Sequence, residues 1–527
     1  MGTVRPPCDE AVVRSGHTDT SCSGTLQFWI LAATIFGSSM AFIDGTVVNV
    51  ALPALQASFH ATVVDVQWVV ESYGLFMGAL ILVGGSLGDL FGRRRMFVLG
   101  VIAFTAASVA CGLAHNVHQL VIARSIQGIG AAFLVPGSLA IIGASFEENT
   151  RGRAIGTWSG FTSITTALGP VLGGWLIEHA SWRWAFFLNL PLAVAVIAIS
   201  LWKVPESRGT SAGRIDWRGA LLVTVGLGGL VNGLIESVNL GWRHPLVFGS
   251  LMVGAICLIV FCLVEAQANF PMVPLKLFAS RSFSGANLLT LFLYAALSIF
   301  FFVFPMNLIQ VQGYSATAAG AATLPLILLL FALSRWSGGL VDRYGPRTPL
   351  LSGPLLAALG FALFALPSTG GNYWKTFFPA LVVLGIGMAI TVAPLTTVVM
   401  SSVAPDRVGT ASGINNAVSR IAGVLAIAVL GIVMVHTFRS RLGSSFQHLA
   451  LPSHIRQKIQ ADETKLAGLA IPDGIDAETK TALKHAVNDA FVFGFRVVVL
   501  MCAGLVLASS GVAYLLIERS TKRSNQQ

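Results

Sequence analysis

The segment GGSLGDLFGRR, Gly84 to Arg94, returns later in the chain as SGGLVDRYGPR, Ser337 to Arg347. Gly85, Leu87, Asp89, Gly92 and Arg94 match Gly338, Leu340, Asp342, Gly345 and Arg347, each 253 residues further on. A second pair stands at the same offset: GTWSG from Gly156 and GTASG from Gly409. One unbroken offset across two separate segments marks an internal duplication rather than chance. What is duplicated follows from the stretches around these motifs.

Those stretches are apolar. The 527 residues are 54% hydrophobic and 11% charged, with a mean hydropathy of +0.76. A soluble domain carries about 25% charged residues, so composition excludes a large soluble enzyme. Runs of about 20 apolar residues are long enough to cross a bilayer. Fourteen are present: 27–51, 65–87, 96–114, 118–142, 154–178, 184–203, 218–238, 246–265, 284–308, 317–340, 348–367, 376–400, 409–435 and 491–517. In lipid each must satisfy its own backbone, so all are expected to be helices. Eight spans separate the repeated motifs. The economical plan is two six-helix halves, 26–205 and 281–517, with two inserted helices in 206–280. Tails occupy 1–25 and 518–527, and a long outer loop 436–490 lies in the second half. Parallel repeats of this kind build one class of secondary transporters, whose substrate site lies between the halves.

The net charge of +10 is a topology signal. Nineteen Lys and Arg residues fall in tails and inner loops when both termini are cytoplasmic. Short outer loops hold only Arg183, Arg243 and Lys375, and loop 436–490 is nearly neutral, with seven basic and six acidic residues. Basic residues mark the cytoplasmic side, and no nucleic-acid partner is implied. The first 25 residues lack the apolar core of a cleavable signal. The six cysteines show neither metal nor redox spacing, no metal site is expected, and no P-loop is present. An ion gradient, with no cofactor, must then supply the energy.

An ionisable side chain deep in lipid costs about 2.5–3.5 kcal/mol on insertion scales. Asp44 lies seven residues from the outer end of its span, roughly 10 Å deep at a rise of about 1.5 Å per residue. Glu71 and Arg124 lie at a similar depth, with Gln127 one turn deeper. Two carboxylates and a guanidinium at one level are expected to pair with one another and to load and release protons. A permanent salt bridge closing the bundle is the alternative. Arg420 sits in mid-span beside Asn415 and Asn416. Trp158, Phe161 and the run Phe300, Phe301, Phe302 and Phe304 could line an apolar pocket. Gly169, Pro170, Gly173 and Gly174 place three glycines around one proline in six residues of the fifth span. The proline removes a helical hydrogen bond and the glycines admit a neighbouring helix. Asp89, flanked by glycines, is expected against a helix N-terminus, where the dipole favours an anion. Arg93 to Arg95 anchor the inner face.

These motifs together resemble the major facilitator superfamily, in particular its fourteen-helix drug:proton antiporters of EmrB/QacA type, over about residues 27–517. The loop motif of that superfamily is matched by Gly85, Leu87, Gly88, Asp89, Gly92, Arg93 and Arg94, with Leu90 in place of the usual basic residue. IDGTVVNVALP, with Asp44, Thr46, Asn49 and Pro53, is similar to the first-helix motif, and WVVESY supplies Glu71. Arg124, Gln127, Gly128 and Gly130 meet the fourth-helix motif; GPVLGG meets the antiporter motif of helix 5. The resemblance implies an exporter in the plasma (inner) membrane. Asp44, Glu71 and Arg124 would couple protons, and Gln127, Asn49, Trp158, Phe161, Asn415 and Arg420 would contact the cargo. The loop and glycine motifs, with Asp342 and Arg347 in the second copy, would govern the conformational change. The implied partners are an amphipathic small molecule, protons and the lipid bilayer, for a protein acting as a monomer. A periplasmic adaptor could dock on loop 436–490, where Ile475 to Val492 reads as a short helix. A dedicated exporter of one natural product, siderophore or lipid-like cargo fits the same motifs. A proton-coupled importer fits the fold but not GPVLGG.

Overall fold

The computed structural model describes residues 24–209, 215–404, 407–446, 453–471 and 475–518. Arg5, Arg14, Arg214, Arg519, Lys522 and Arg523, counted above as inner charges, lie outside the described residues, as do Cys8 and Cys22. Among the described residues all regular structure is helical. The long helices are α1 (Gly24–Phe59), α2 (Val63–Phe91), α3 (Arg93–Leu113), α4 (Val117–Ser145), α5 (Glu148–His179), α6 (Asn189–Lys203) and α7 (Trp217–Leu240). There follow α8 (Pro245–Gln267), α9 (Arg281–Met306), α10 (Leu324–Gly338), α11 (Arg347–Leu363), α12 (Tyr373–Ser401), α13 (Val408–Ser445) and α14 (Ala477–Leu516). Among the described residues thirteen helical stretches are long and apolar enough to cross a membrane; the eleventh expected span appears as the seventeen-residue α11.

Polar residues start these helices where lipid gives no help. Asn116 caps α4 by accepting the Gln119 N–H at 2.9 Å, and Asp476 caps α14 by accepting that of Thr479 at 2.8 Å. Two expectations need correction. The tenth span is not one helix: a turn Ala316–Ala322 ends at Thr323, α10 starts beside Pro325, and Leu340–Tyr344 forms a separate turn. Pro325 supplies no N–H to continue the preceding turn. The outer loop is also shorter than 436–490. Residues 436–445 continue α13, and 477–490 are the first turns of α14 rather than a separate short helix.

The chain forms two compact units. The first comprises the chain up to Val48, Val69–Gly228 and Ala255–Pro274. Its core gathers Phe97, Phe104, Leu134, Ile142 and Trp158 from α3, α4 and α5. The second comprises Asn49–Trp68, Gly229–Gly254 and the chain from Leu275. Its core is aromatic: Phe300 stacks on Phe304 at 4.8 Å and meets Phe361 and Phe364 at 5.6 and 4.7 Å between ring centres. Phe300, Phe302 and Phe304 are thus packing residues of this core.

Each unit repeats one contact. In the first, Arg94 Nη1 donates to the Val204 carbonyl just past α6, at 3.0 Å. In the second, Arg347 donates to the Tyr514 carbonyl near the end of α14 and lies over the Tyr514 ring at 4.2 Å. The matched arginines of the two sequence copies therefore each bond a carbonyl at the end of a later helix in their own unit.

Candidate functional site

A buried polar cluster occupies the first unit. Asp44 on α1 and Arg124 on α4 are each 1% exposed and form an ion pair. The other Asp44 oxygen, Oδ1, accepts from Gln127 Nε2 at 2.8 Å and from Asn189 Nδ2 at 3.4 Å. Arg124 Nη1 also donates to Gln127 Oε1 at 2.7 Å, and its Nε donates to the Val69 carbonyl of α2 at 3.1 Å. Its guanidinium lies 4.2 Å from the Tyr73 ring centre and 5.9 Å from that of Phe186. Asn189 also donates to Ser108 Oγ at 3.0 Å, and Ser108 donates to the Phe186 carbonyl at 2.8 Å. The charge is thus neutralised by one counter-ion and spread over neutral amides, as an interior charge requires.

The expectation that both carboxylates share Arg124 needs correction. Glu71 is 1% exposed, and neither of its oxygens has a hydrogen-bond partner among the described residues. On α2 Arg124 takes the Val69 carbonyl instead. Asn189 and Ser108 were missed by sequence reasoning. Asn189 had a readable signal, an amide in the apolar run FFLNLPL.

Small residues create this cluster. A Cβ at Gly128 would lie 2.5 Å from the Tyr73 carbonyl oxygen, and one at Gly130 would lie 2.6 Å from the Phe104 nitrogen. At Gly173 it would lie 2.6 Å from Val47 Cγ1, and at Gly169 it would strike the Thr46 hydroxyl. α4 thereby reaches α2 and α3, and α5 reaches α1. Pro170 and Gly174 are buried in the same stretch.

The loop between α2 and α3 also departs from expectation. Asp89 is not the anion at the α3 N-terminus; it pairs with Arg93 at 2.8 Å. Glu206, 3% exposed, takes that place. It accepts the N–H groups of Arg94 at 3.0 Å and Arg95 at 3.2 Å, with both guanidinium groups within 3.7 Å. Gly92, at φ 113°, leaves the room: a Cβ there would lie 2.7 Å from Glu206 Oε1. A Cβ at Gly85 would make an ordinary contact, 3.7 Å from Pro136 Cβ. In the second copy Asp342 is exposed.

The remaining candidates are dispersed. Trp158 donates to Ser38 Oγ at 3.1 Å inside the first core, whereas Phe161 is 53% exposed. Asn49 belongs to the second unit. There Asn415 Nδ2 ties α13 to α9 through Thr290 at 2.7 Å and Asn287 at 3.2 Å. Arg420 is half-buried within electrostatic range of Tyr294. The segment 453–469 packs on its own unit: Ile455, Ile459, Leu466 and Leu469 are buried, and Gln56 Nε2 donates to the Lys465 carbonyl at 2.9 Å.

Comparison with known proteins gives a consistent result. Residues 34–427 match the family model described as Major Facilitator Superfamily. The chain is 36% identical over 448 residues to the multidrug resistance protein Stp of Mycobacterium tuberculosis (strain CDC 1551 / Oshkosh), covering 83% of this chain and 81% of that protein. It is 30% identical over 510 residues to the tetracenomycin C resistance and export protein of Streptomyces glaucescens, covering 95% and 94%. Among solved structures, a bacterial homologue of the human lysosomal transporter Spinster aligns with a TM-score of 0.62 at 17% identity, covering 93% of this chain and 98% of that one.

Proposed function

Because this chain belongs to the major facilitator superfamily, we propose that it exports drugs or other amphipathic small molecules across the plasma membrane in exchange for protons. Relatives named for multidrug resistance and for antibiotic export support the direction and the class of cargo. We further propose fourteen spans, α11 being the eleventh, with both termini cytoplasmic. The division into halves 26–205 and 281–517 with inserted helices between them is part of the same reading. The protein needs no catalytic centre and no cofactor, since the proton gradient drives it.

The observation that carries the coupling is the enclosed set Asp44, Arg124, Gln127 and Asn189 beside the unpartnered Glu71. A proton arriving on Asp44 removes the counter-ion of Arg124 and leaves the two amides to hold the neutral acid. Arg124 then needs another anion. It already reaches α2 at Val69, two residues from Glu71. Proton movement between the two carboxyls thus exchanges the partner of one fixed cation, and that exchange moves α1 against α2 and α4. For the cargo, Trp158 and Asn415 spend polar atoms on helix–helix bonds, and the exposed ring of Phe161 is the proposed contact.

Asp44→Asn tests this in proteoliposomes. It should abolish drug-driven proton movement while the purified protein still folds and binds cargo. Unchanged pH-driven export by that variant would refute the role. A second reading, export of one dedicated cargo, is favoured by relatives named for single antibiotics, such as the tetracenomycin C protein and the puromycin resistance protein of Streptomyces alboniger. A resistance panel separates the two: protection against one compound supports the second, and broad protection the first.

A further inference from the structure

The first unit holds a second pair of carboxyl groups, remote in sequence from the cluster around Asp44. Asp216 stands just before α7, and Glu265 in the last turn of α8 is 2% exposed. Each has one oxygen engaged by backbone. Asp216 Oδ1 accepts the Gly219 N–H at 2.8 Å, and Glu265 Oε2 accepts the Val273 N–H at 3.0 Å. The other two oxygens, Asp216 Oδ2 and Glu265 Oε1, are buried without a hydrogen-bond partner among the described residues. They converge on the bare Cα of Gly219, where a Cβ would meet both, Glu265 Oε1 at 2.8 Å. Both free oxygens thus lie within 2.8 Å of one and the same point beside Gly219.

Two ionised carboxylates cannot face each other like this in an enclosed place; something positive must lie between the free oxygens. Asp216 is the charged side chain that shares this point with Glu265. Arg218, two residues along, is exposed, and 268–274 carries no charge. A metal ion or sodium needs more ligands than two oxygens, and no group of three or more His, Cys, Asp or Glu side chains occurs among the described residues. A single proton needs only these two.

We propose that Asp216 and Glu265 form a proton-binding site in which one proton is shared between Asp216 Oδ2 and Glu265 Oε1. With the proton present, the pair locks the start of α7 to the end of α8 and, through Val273, to the elbow that follows. Loss of the proton sets two like charges against each other and parts the two helix ends. The site rests on no assignment to Asp44 and no particular cargo.

Infrared difference spectroscopy of the full-length protein in lipid, titrated with pH, tests it. The wild-type protein should show the carbonyl stretch of a protonated carboxylic acid that disappears as one group on alkalinisation. Glu265→Gln and Asp216→Asn should each remove that band. Both keep the shape of the pair and can donate an amide hydrogen across it, so both should fold. Asp44→Asn should leave this band in place, so the failure of the coupling scheme and of this site are distinguishable. The proposal is overturned if both pair variants retain the band. It is equally overturned if added sodium at fixed pH abolishes the band, which would identify a cation site instead.

Discussion

Gly128→Ala is the sharpest test of how the buried cluster is positioned. An added Cβ lies 2.5 Å from the backbone oxygen of Tyr73 and 3.2 Å from its carbonyl carbon. Backbone of a neighbouring helix cannot rotate away, so α4 must withdraw from α2 by about 0.5–1 Å to restore ordinary contact. One turn toward the start of each helix, Arg124 Nε donates to the Val69 carbonyl at 3.1 Å. The same withdrawal stretches that bond to roughly 3.6–4.1 Å, beyond hydrogen-bonding geometry. Overpacking costs about 1–3 kcal/mol, and a lost bond from a charged donor about 1.5–3 kcal/mol. One displacement causes both losses, so they overlap, and the expected loss is about 2–4 kcal/mol. The assay is reversible unfolding of the purified protein in mixed micelles, paired with drug-driven proton movement in proteoliposomes. Gly156→Ala is the control, because a Cβ there meets nothing within 4 Å; helix propensity alone predicts a gain of up to about 1 kcal/mol. If Gly128→Ala is as stable and as well coupled as Gly156→Ala, the reasoning from glycine to Arg124 position is wrong.

Glu206→Gln should loosen the start of α3, because the amide keeps one acceptor for the Arg94 and Arg95 N–H groups but loses the charge that binds both guanidiniums. A loss of about 1.4 kcal/mol would raise hydrogen exchange of residues 93–96 about tenfold, whereas Asp89→Asn, which releases only the Arg93 pair, should change it less. Equal effects from the two variants would contradict the placement of Glu206. Outside the membrane, burial raises the Glu463 carboxyl above its ordinary value, and nearby Arg439 offsets this only in part. The docked segment therefore binds more protons than the undocked one, so docking strengthens as pH falls through the raised value and weakens above it. Protection of 463–469 from exchange should rise on mild acidification; a fall would mean that the Arg439 ion pair dominates.

What the sequence disclosed and what it hid have separable causes. Spans were legible because lipid leaves a backbone no alternative to helix, and Asp44 with Arg124 stood out because charge is costly there. Glu71 was legible as a buried acid, but its lack of a partner was not: which of two acids a guanidinium takes depends on a carbonyl, Val69, that every residue possesses. Residues 436–445 read as loop because hydropathy reports the solvent around a helix rather than its backbone; α13 continues past the apolar stretch to Ser445. Glu206 was hidden because an acid in a basic inner loop looks like ordinary solvated charge. Only the fold delivers it to three backbone N–H groups.

The proline–glycine motif on α5 acquires a specific task from its contacts. Pro170 has no N–H, so the Thr166 carbonyl one turn earlier loses its usual donor. Thr46 Oγ1 on α1 lies 3.5 Å from that carbonyl, and it occupies the space a Cβ at Gly169 would take. Gly173 admits Val47 in the same way one turn on. Thr46 follows Asp44 by two residues, about 200° around the helix, so one side of this turn faces α5 while the other holds Asp44 to Arg124. The Thr46 hydroxyl has a single hydrogen and also lies 3.1 and 3.0 Å from the Phe42 and Ile43 carbonyls of its own helix. It can therefore turn back to α1 when the helices shift, at the cost of one weak bond. A glycine–proline stretch that seats the acid-bearing turn through a reversible hydroxyl contact does more than bend α5. It makes the position of Asp44 depend on α5, and under the proposed coupling that dependence would link the proton site to the moving helices.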